Sequence, residues 1–303
     1  MSGVHVWTDL LDPDEQALRA TGLDLHPRAL EQLLAAPQHD DEPRPTLVGH
    51  GDYIFGIFLV AVAVPEEDRV FYQEVDVILT KERVLTVRKT PPNGTPYDPA
   101  PAREACRAHE QPGMVVYHLV DDIAEHYLDL IDQLNDEIEE LEDNVDDWPA
   151  AKVRDRISDL RHDMLHIRRT LAPMRDAVRA IVDNRIELEG REVFPHDVEL
   201  QFGAAYDKFQ RATEGLEFSR DLLQGVRDYH QAKIANDQND VMKRLTIIAS
   251  LLLVPTFIVG VYGQNFDHMP ELHWHYGYLL WSWGWIAGLT ILQLVWFRWK
   301  RWF

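Results

Sequence analysis

A long segment without proline leads into an apolar stretch near the C-terminus. No proline occurs between Pro195 and Pro255, and proline is the residue that most strongly interrupts helices. Residues 245–262 are eighteen residues without a charged side chain, and a helix needs about 20 apolar residues to cross a bilayer. The sequence predicts one helix from near Asp197 to Tyr262, on the order of 100 Å long at ~1.5 Å per residue. Its last part would span a membrane.

A second apolar segment, residues 276–297, follows after a loop at 263–275 and predicts a second membrane-spanning helix. The loop contains no Lys or Arg. Basic residues lie instead before the first apolar segment and after the second: Lys243, Arg244, Arg298, Lys300 and Arg301. By the positive-inside rule both termini face the cytoplasm, with residues 298–303 as a basic cytosolic tail. We expect a multi-pass protein of the cell (inner) membrane.

The remainder of the chain is strongly acidic. There are 30 Lys and Arg against 51 Asp and Glu, for a net charge of −21, which argues against nucleic acid as a partner. The single cysteine, Cys106, forms no intrachain disulfide and suits a reducing compartment. Residues 1–30 lack the basic-then-apolar order of a secretion signal. We therefore expect the residues before the first span to lie in the cytosol.

Residues 1–112 mix short elements and predict a cytosolic α/β domain. Aromatic and β-branched residues with polar breaks are typical of strands, and proline favours the first position of a helix. Strands are predicted at residues 4–7, 53–64 and 70–87, with a break at 81–83, and helices at residues 15–20 and 27–36. The proline-rich residues 91–101 predict an irregular connection.

Residues 113–196 have the period of helices and predict an antiparallel pair. One apolar series comprises Leu119, Ile123, Tyr127, Leu130, Leu134, Ile138, Leu141 and Val145. The returning series comprises Val153, Ile157, Leu160, Met164, Ile167, Leu171, Met174, Val178 and Ile181. Trp148-Pro149 separates the two helices, and Gly190 and Pro195 are expected to close the second. Residues 121–147 contain thirteen acidic residues and no Lys or Arg, so the outer surface carries a concentrated negative potential.

One face of the long helix mixes polar, small and apolar residues. Helical spacing places these residues on it: Asp228, Asn239, Met242, Leu245, Ala249, Leu253, Thr256 and Gly260. A narrow water-lined path with an apolar constriction would need such a mixture. Small residues also let membrane helices approach closely, so the spacing leaves a packing face as the alternative. Two helices enclose no sealed lumen, and a pore would therefore require an oligomer.

The loop between the two apolar segments carries a motif. Tyr262-Gly263-Gln264-Asn265-Phe266, followed by Met269-Pro270-Glu271-Leu272, resembles the signature of CorA-type divalent-cation transporters, whose motif reads Gly-Met-Asn. The basic, aromatic C-terminal end also resembles the family. Further similar segments are residues 7–13, 25–27, 239–243 and 245–249. The resemblance covers essentially the whole chain.

This resemblance implies an α+β cytosolic domain, a long helical stalk at residues 197–262 and two transmembrane helices. It implies a funnel-shaped homopentamer in the lipid bilayer, with the first spans lining the pore. The pore-facing positions of the family fall on Asn239, Met242, Leu245, Ala249, Leu253, Thr256, Gly260 and Asn265. The implied function is channel-like transport of Mg²⁺, with Co²⁺ and Ni²⁺ as further candidate ions, gated by cations bound in the cytosol.

The loop motif suits a hydrated ion. Mg²⁺ dehydrates reluctantly and keeps several waters, so a ring of Asn265 amides would hold it through its water shell at the external mouth. We expect Gly263 to allow a tight turn with an unusual φ. Asp228 is a candidate for a cation ring at the cytosolic end. Mg²⁺ would then be both substrate and regulator, with no separate cofactor.

Gln264 stands where the family motif has methionine, and this departure leaves the ion open. The alternative is a Zn²⁺ transporter of the same superfamily, with proton coupling as an open question. Imidazoles beside carboxylates suit Zn²⁺, and the loop contains His268, His273 and His275 with Asp267 and Glu271. The direction of transport, uptake or efflux, is also open.

Two other function classes are a scaffold and an enzyme. A more remote hypothesis is a membrane-tethered acidic scaffold in which the spans serve only as an anchor. The sequence has no phosphate-binding glycine loop, nucleophile elbow or HExxH pattern. We therefore expect that the protein is not an enzyme.

Overall fold

The computed structural model describes residues 6–37, 42–64, 69–91, 94–107, 110–186, 188, 193–264, 269 and 273–302. The chain divides into two compact units, Met1–Arg227 and Asp228–Phe303. The strands are β1 Trp7–Leu11, β2 Thr46–Gly49, β3 Ile54–Val64, β4 Arg69–Leu79 and β5 Val84–Arg88. The helices are α1 Glu15–Ala20, α2 Pro27–Leu34, α3 Ala100–Ala105, α4 Pro112–Asn144, α5 Ala150–Val182, α6 His196–Tyr262 and α7 Gly284–Trp299.

The five strands form one sheet in the order β1-β5-β4-β3-β2, in which only the β1–β5 pair is parallel. The nearly uninterrupted apolar sequence of β3 is buried on both faces, as such runs require. Ile54 and Phe58 share a core with α4, whereas Phe55 and Ile57 share a second core with α1 and α2. The first unit is thus an α+β fold with long helices on one side of the sheet.

The N-terminal strand differs from the prediction. It was expected at residues 4–7, of which 4 and 5 lie outside the described residues. β1 occupies Trp7–Leu11, where side chains on β5 hold it. The indole Nε1 of Trp7 donates to Thr86 Oγ1 at 2.9 Å, and Arg88 Nη2 donates to Asp9 Oδ2 at 2.7 Å. The edge strand β2 was not predicted, nor was α3, which lies partly in the segment expected to be irregular.

The predicted apolar seam of α4 is confirmed, since all eight of its residues are buried. On α5 the returning series is buried except for the half-buried Ile157. The antiparallel arrangement brings Arg156 Nη2 of α5 within 2.9 Å of Glu137 Oε2 of α4. The predicted end of the second helix is wrong. Instead of closing at Gly190 and Pro195, α5 ends at Val182, where Asn184 adopts a φ of 51°, as asparagine does at helix C-termini.

The long helix predicted from near Asp197 to Tyr262 corresponds to the 67-residue α6. Its N-terminal part runs parallel to α4. Lys208 Nζ lies 2.6 Å from Asp121 Oδ1 and 2.5 Å from Glu125 Oε1, which compensates part of the acidic surface. Gly215 permits the close approach of the two helices, because a Cβ there would lie 2.9 Å from Cγ2 of Ile131.

A buried ionic cluster lies between β4, the end of β5 and α2 in the first unit. Lys89 Nζ lies 2.6 Å from Glu74 Oε1 and 3.1 Å from Asp76 Oδ2, and it donates to the Gln32 carbonyl at 2.7 Å. Two carboxylates therefore share one ammonium group. Burial, reinforced by the nearby Glu74 charge, raises the pKa of Asp76 to about 8.

The second apolar segment, predicted as a helix at 276–297, is helical from Gly277 to Trp299 but changes helix type along its length. A π-helical segment, Gly277–Trp283, precedes the 16-residue α7, and the change of helix type falls at Gly284, which has no side chain to obstruct it. Among the described residues, one helix is long and apolar enough to cross a membrane, namely α6. Within that part of the chain, Cβ atoms added at Gly284 and Gly288 would meet no atom within 4 Å.

Candidate ion pathway

The apolar C-terminal part of α6, residues 245–262, is covered by α7 on one side. Gln293 Nε2 of α7 donates to the Ser250 carbonyl at 3.3 Å, which identifies the side next to α7. The less exposed residues of α6 recur at helical spacing around this point: Ile247, Ser250, Leu251, Val254 and Ile258. α7 therefore occupies one side of this segment and leaves the others open.

The face predicted from spacing lies away from the covered side. All of its members are exposed: Asp228, Asn239, Met242, Leu245, Ala249, Leu253, Thr256 and Gly260. Leu253 exposes 69% of its surface, and a Cβ added at Gly260 would meet no described atom within 4 Å. Within the described part of the chain, this face is therefore not a packing surface. Its partners would be water, lipid or further copies of the chain.

The polar groups near this face are arranged by the helix itself. Thr256 Oγ1 donates to the Leu252 carbonyl at 2.7 Å, so the lone pairs of its oxygen remain available as acceptors. Pro255 lies inside the helix and has no N–H for the Leu251 carbonyl, yet α6 continues to Tyr262. A carbonyl without its helical partner is tolerated in a membrane helix where the backbone lines a cavity or packs against protein.

The motif begins in the last turn of α6. The N–H of Gly263 donates to the Val259 carbonyl at 2.8 Å, and that of Gln264 to the Val261 carbonyl at 3.3 Å. The expectation of an unusual φ at Gly263 is wrong, because its φ is not positive. A Cβ at this position would lie 3.2 Å from the Val259 carbonyl oxygen, a close contact with the preceding turn of the helix. Gln264 is exposed. Asn265 lies outside the described residues, so its role stays a prediction.

The predicted histidine group is only partly described. His273 and His275 are exposed, and His275 packs edge-on against Tyr276 with ring centroids 4.9 Å apart. His268, Asp267 and Glu271 lie outside the described residues. Across the described ranges, no three His, Cys, Asp or Glu side chains form a group able to hold a metal. A cation ring at Asp228 would therefore require several copies of the chain.

One residue of this region was missed by sequence reasoning. Gln293 is the only amide side chain between residues 276 and 297, and it ties α7 to the Ser250 carbonyl. Its Oε1 is buried without a partner among the described residues. A lone amide in an apolar segment was the available signal, because polar side chains inside membrane spans are costly and tend to be functional.

The comparisons with known proteins decide the family. Residues 2–301 match the family model described as CorA-like Mg²⁺ transporter protein. The chain belongs to the CorA family.

Relatives match the chain over nearly its full length, and a solved structure shares its fold. The chain is 32% identical to YfjQ of Bacillus subtilis, over 98% of this chain and 89% of that protein. It is 30% identical to the cobalt/magnesium transport protein CorA of Thermotoga maritima, over 92% and 77% respectively. The complete structure of the CorA magnesium transporter from Methanocaldococcus jannaschii has a TM-score of 0.77 and 20% identity, covering 96% of this chain and 89% of that one. This last similarity establishes the fold.

Proposed function

We propose that this CorA-family protein is a channel-like transporter that moves Mg²⁺ across the membrane down its electrochemical gradient. The observation that carries the proposal is the exposed mixed face of α6, which extends from Asn239 to Gly260 and has no packing partner in the described part of the chain. A continuous helix presents this face from the cytosolic end of the apolar segment to the loop motif.

The pathway needs several copies of the chain, because one α6 and one α7 enclose no lumen. We propose a homopentamer in which the α6 faces surround a central path. The protein would lie in the cell (inner) membrane with both termini in the cytoplasm. Residues 276–297 would form the second span. Met242, Leu245 and Leu253 would supply the apolar constriction, and Thr256 a ring of hydroxyl oxygens beyond it.

Selectivity would rest on the motif. A ring of Asn265 amide oxygens would bind hydrated Mg²⁺ through its waters and release it, because the ion gives up its water shell reluctantly. Gln264 would place a second amide near the mouth, and Co²⁺ and Ni²⁺ are further candidate substrates. Inward movement of a divalent ion is favoured by about 4.6 kcal/mol per 100 mV.

Regulation would come from cytosolic cations. Mg²⁺ bound by a ring of Asp228 carboxylates would hold the copies together at the cytosolic end of the path. Loss of these ions would leave like charges facing one another, and their repulsion would favour an open state. The net charge of −21 per chain adds to this repulsion.

Flux through proteoliposomes at a fixed potential tests the pathway. Thr256→Val keeps the shape of the side chain but removes a polar atom from the proposed path. We expect Mg²⁺ flux to fall on the order of fivefold, as for one lost hydrogen bond of ~1 kcal/mol. Thr290→Val is the matched control, because Thr290 Oγ1 donates to the Ile286 carbonyl on α7 at the same 2.7 Å. Equal fluxes in the two variants would contradict the pathway.

A second set of measurements tests the motif and the ion. Asn265→Ala should abolish most Mg²⁺ flux, and unchanged flux would refute the Asn265 ring. Competition among Mg²⁺, Co²⁺, Ni²⁺ and Zn²⁺, with and without a pH gradient, identifies the substrate. Zn²⁺ flux that exceeds Mg²⁺ flux and follows the pH gradient would replace the proposal with proton-coupled zinc transport. No flux of any divalent ion would favour the scaffold hypothesis.

A further inference from the structure

A basic cavity lies at the cytosolic end of the apolar part of α6, within the second unit. Its volume is about 510 Å³. It is lined by Asp240, Lys243, Arg244, Ile247, Ile248, Arg301 and Trp302. Neither the ion pathway nor the motif uses these residues.

The C-terminal end of α7 is folded so that it forms one wall of the cavity. Arg301 adopts a φ of 56°, and its N–H donates to the Arg298 carbonyl at 3.1 Å. The N–H of Trp302 donates to the Phe297 carbonyl at 3.0 Å, and the two rings stack with centroids 5.5 Å apart. This reversal turns Arg301 and Trp302 back toward α6. The cavity therefore has a defined wall.

The cavity and the proposed ion pathway lie on different sides of α6. Its lining residues on α6 follow helical spacing from Asp240 to Ile248. With about 100° of rotation per residue, Ile247 lies ~140° around the helix from Met242. A ligand of the cavity would thus contact α6 on the side turned away from the path.

Charge and chemistry of the lining favour one class of ligand. Three cationic side chains face one carboxylate, and Asp240 is already paired with Lys243 at 2.9 Å. This contact lowers the pKa of Asp240, and the Arg244 charge adds to the lowering. Among the described residues, neither Arg244 nor Arg301 is in ion-pair contact with a carboxylate, so both guanidinium groups are donors suited to a phosphate. Ile247 and Ile248 add an apolar wall directly beside them, and tryptophan is favoured at membrane interfaces.

Resting on the proposed insertion of α6 in a membrane, we propose that this cavity binds the headgroup of an anionic phospholipid of the cytosolic leaflet. The phosphate would accept hydrogen bonds from Arg244 and Arg301, with Lys243 nearby. The start of the acyl chains would lie against Ile247 and Ile248. Anionic lipids concentrate at this leaflet and attract basic groups at the ends of spans.

Lipid binding to the delipidated full-length protein in neutral detergent tests the proposal. The probes are dioctanoyl-phosphatidylglycerol, dioctanoyl-phosphatidylcholine and inorganic phosphate, followed by native mass spectrometry in divalent-free buffer. We expect phosphatidylglycerol to bind and phosphatidylcholine to bind at least tenfold more weakly. Arg244→Gln and Arg301→Gln should each weaken phosphatidylglycerol binding about tenfold, as for one charged hydrogen bond.

Lys300→Gln is the matched control, because Lys300 neighbours Arg301 but does not line the cavity. It should change the affinity less than twofold. An equal loss in this control would show general charge attraction and overturn the site, as would equal binding of phosphatidylcholine. Phosphate that binds as tightly as phosphatidylglycerol would replace the lipid with a soluble anion.

The binding assay uses no ion gradient, and this separates the two proposals. A protein that binds phosphatidylglycerol through Arg244 and Arg301 but conducts no divalent ion contradicts the proposed function alone. A protein that conducts Mg²⁺ but shows no preference for phosphatidylglycerol contradicts the lipid site alone.

Discussion

The seam of α4 and the apolar end of α6 are both helical and rich in large apolar residues, but their surroundings are opposite. Ile123 and Tyr127 in the seam are fully buried by the sheet and neighbouring helices of the same chain. Leu253 and Phe257 on α6 expose 69% and 71% of their surfaces. Apolar surface left in water costs roughly 25 cal/mol per Å². The end of α6 therefore needs cover from outside the chain, whereas the seam does not.

The charges around each apolar surface explain the difference. α4 carries a dense acidic surface opposite its seam, so one side suits water and the other suits a core. Residues 245–262 carry no charge on any side. A helix that is apolar all around suits a membrane, and the exposed α6 face then marks where other copies or water would enter. The comparison predicts that equivalent changes in the two regions will have unlike effects.

The largest effect is expected from a charge in the seam. Ile138→Asp would bury an unpaired carboxylate at a position that is 1% exposed, costing about 4–5 kcal/mol of unfolding free energy. Urea unfolding of the full-length protein, with hydrogen exchange along α4, measures the loss. Leu253→Asp should leave exchange along α4 unchanged and instead reduce membrane insertion by ~3 kcal/mol. Equal loss of protection along α4 in both variants would remove the distinction.

Two glycines of α6 provide a finer comparison. Gly215→Ala forces a methyl group against Ile131 and should cost about 1–3 kcal/mol of stability. Gly260→Ala meets no described atom within 4 Å and should keep stability or raise it by up to ~1 kcal/mol through helix propensity. Its Mg²⁺ flux should fall, because the added methyl narrows the proposed path. Thermal unfolding and proteoliposome flux, measured on both variants, provide the check. Destabilisation by Gly260→Ala would indicate that this face is packed.

The buried Asp76 gives a prediction about pH dependence that has a defined sign. Its pKa is raised from 3.8 to about 8 on folding, so between these pH values the unfolded chain loses the proton that the folded chain keeps. The free energy of unfolding therefore falls as the pH rises from about 4 to about 8. Asp76→Asn removes this cost, so it should raise the unfolding temperature at pH 8.5 and change it little near pH 4. Thermal unfolding at both pH values tests this, with the exposed Asp136→Asn as control.

Sequence patterns predicted the long helices and strands because the pattern that identifies each one lies within its own residues. The apolar seams, the strands on either side of residues 65–68 and the proline-free course of α6 are all local properties of the chain. The short strands depended on pairing with other segments. β1 begins at Trp7 because Thr86 and Arg88 hold it there, and β2 exists because it pairs with the edge of β3. Thr86 lies 79 positions from Trp7, whereas β2 pairs with the next strand across the short turn at residues 50–53.

The candidate site divides in the same way. The sequence by itself determined which residues share one face of α6, because a helix repeats every 3.6 residues, and it supplied the motif and the charge-free span. Only the tertiary structure decided that this face is uncovered, that Gln293 reaches the Ser250 carbonyl, and that Arg301 and Trp302 line a cavity with Arg244. The α6–α7 contacts join residues more than forty positions apart. The periodicity of one helix carries no information about which of its sides another segment will cover.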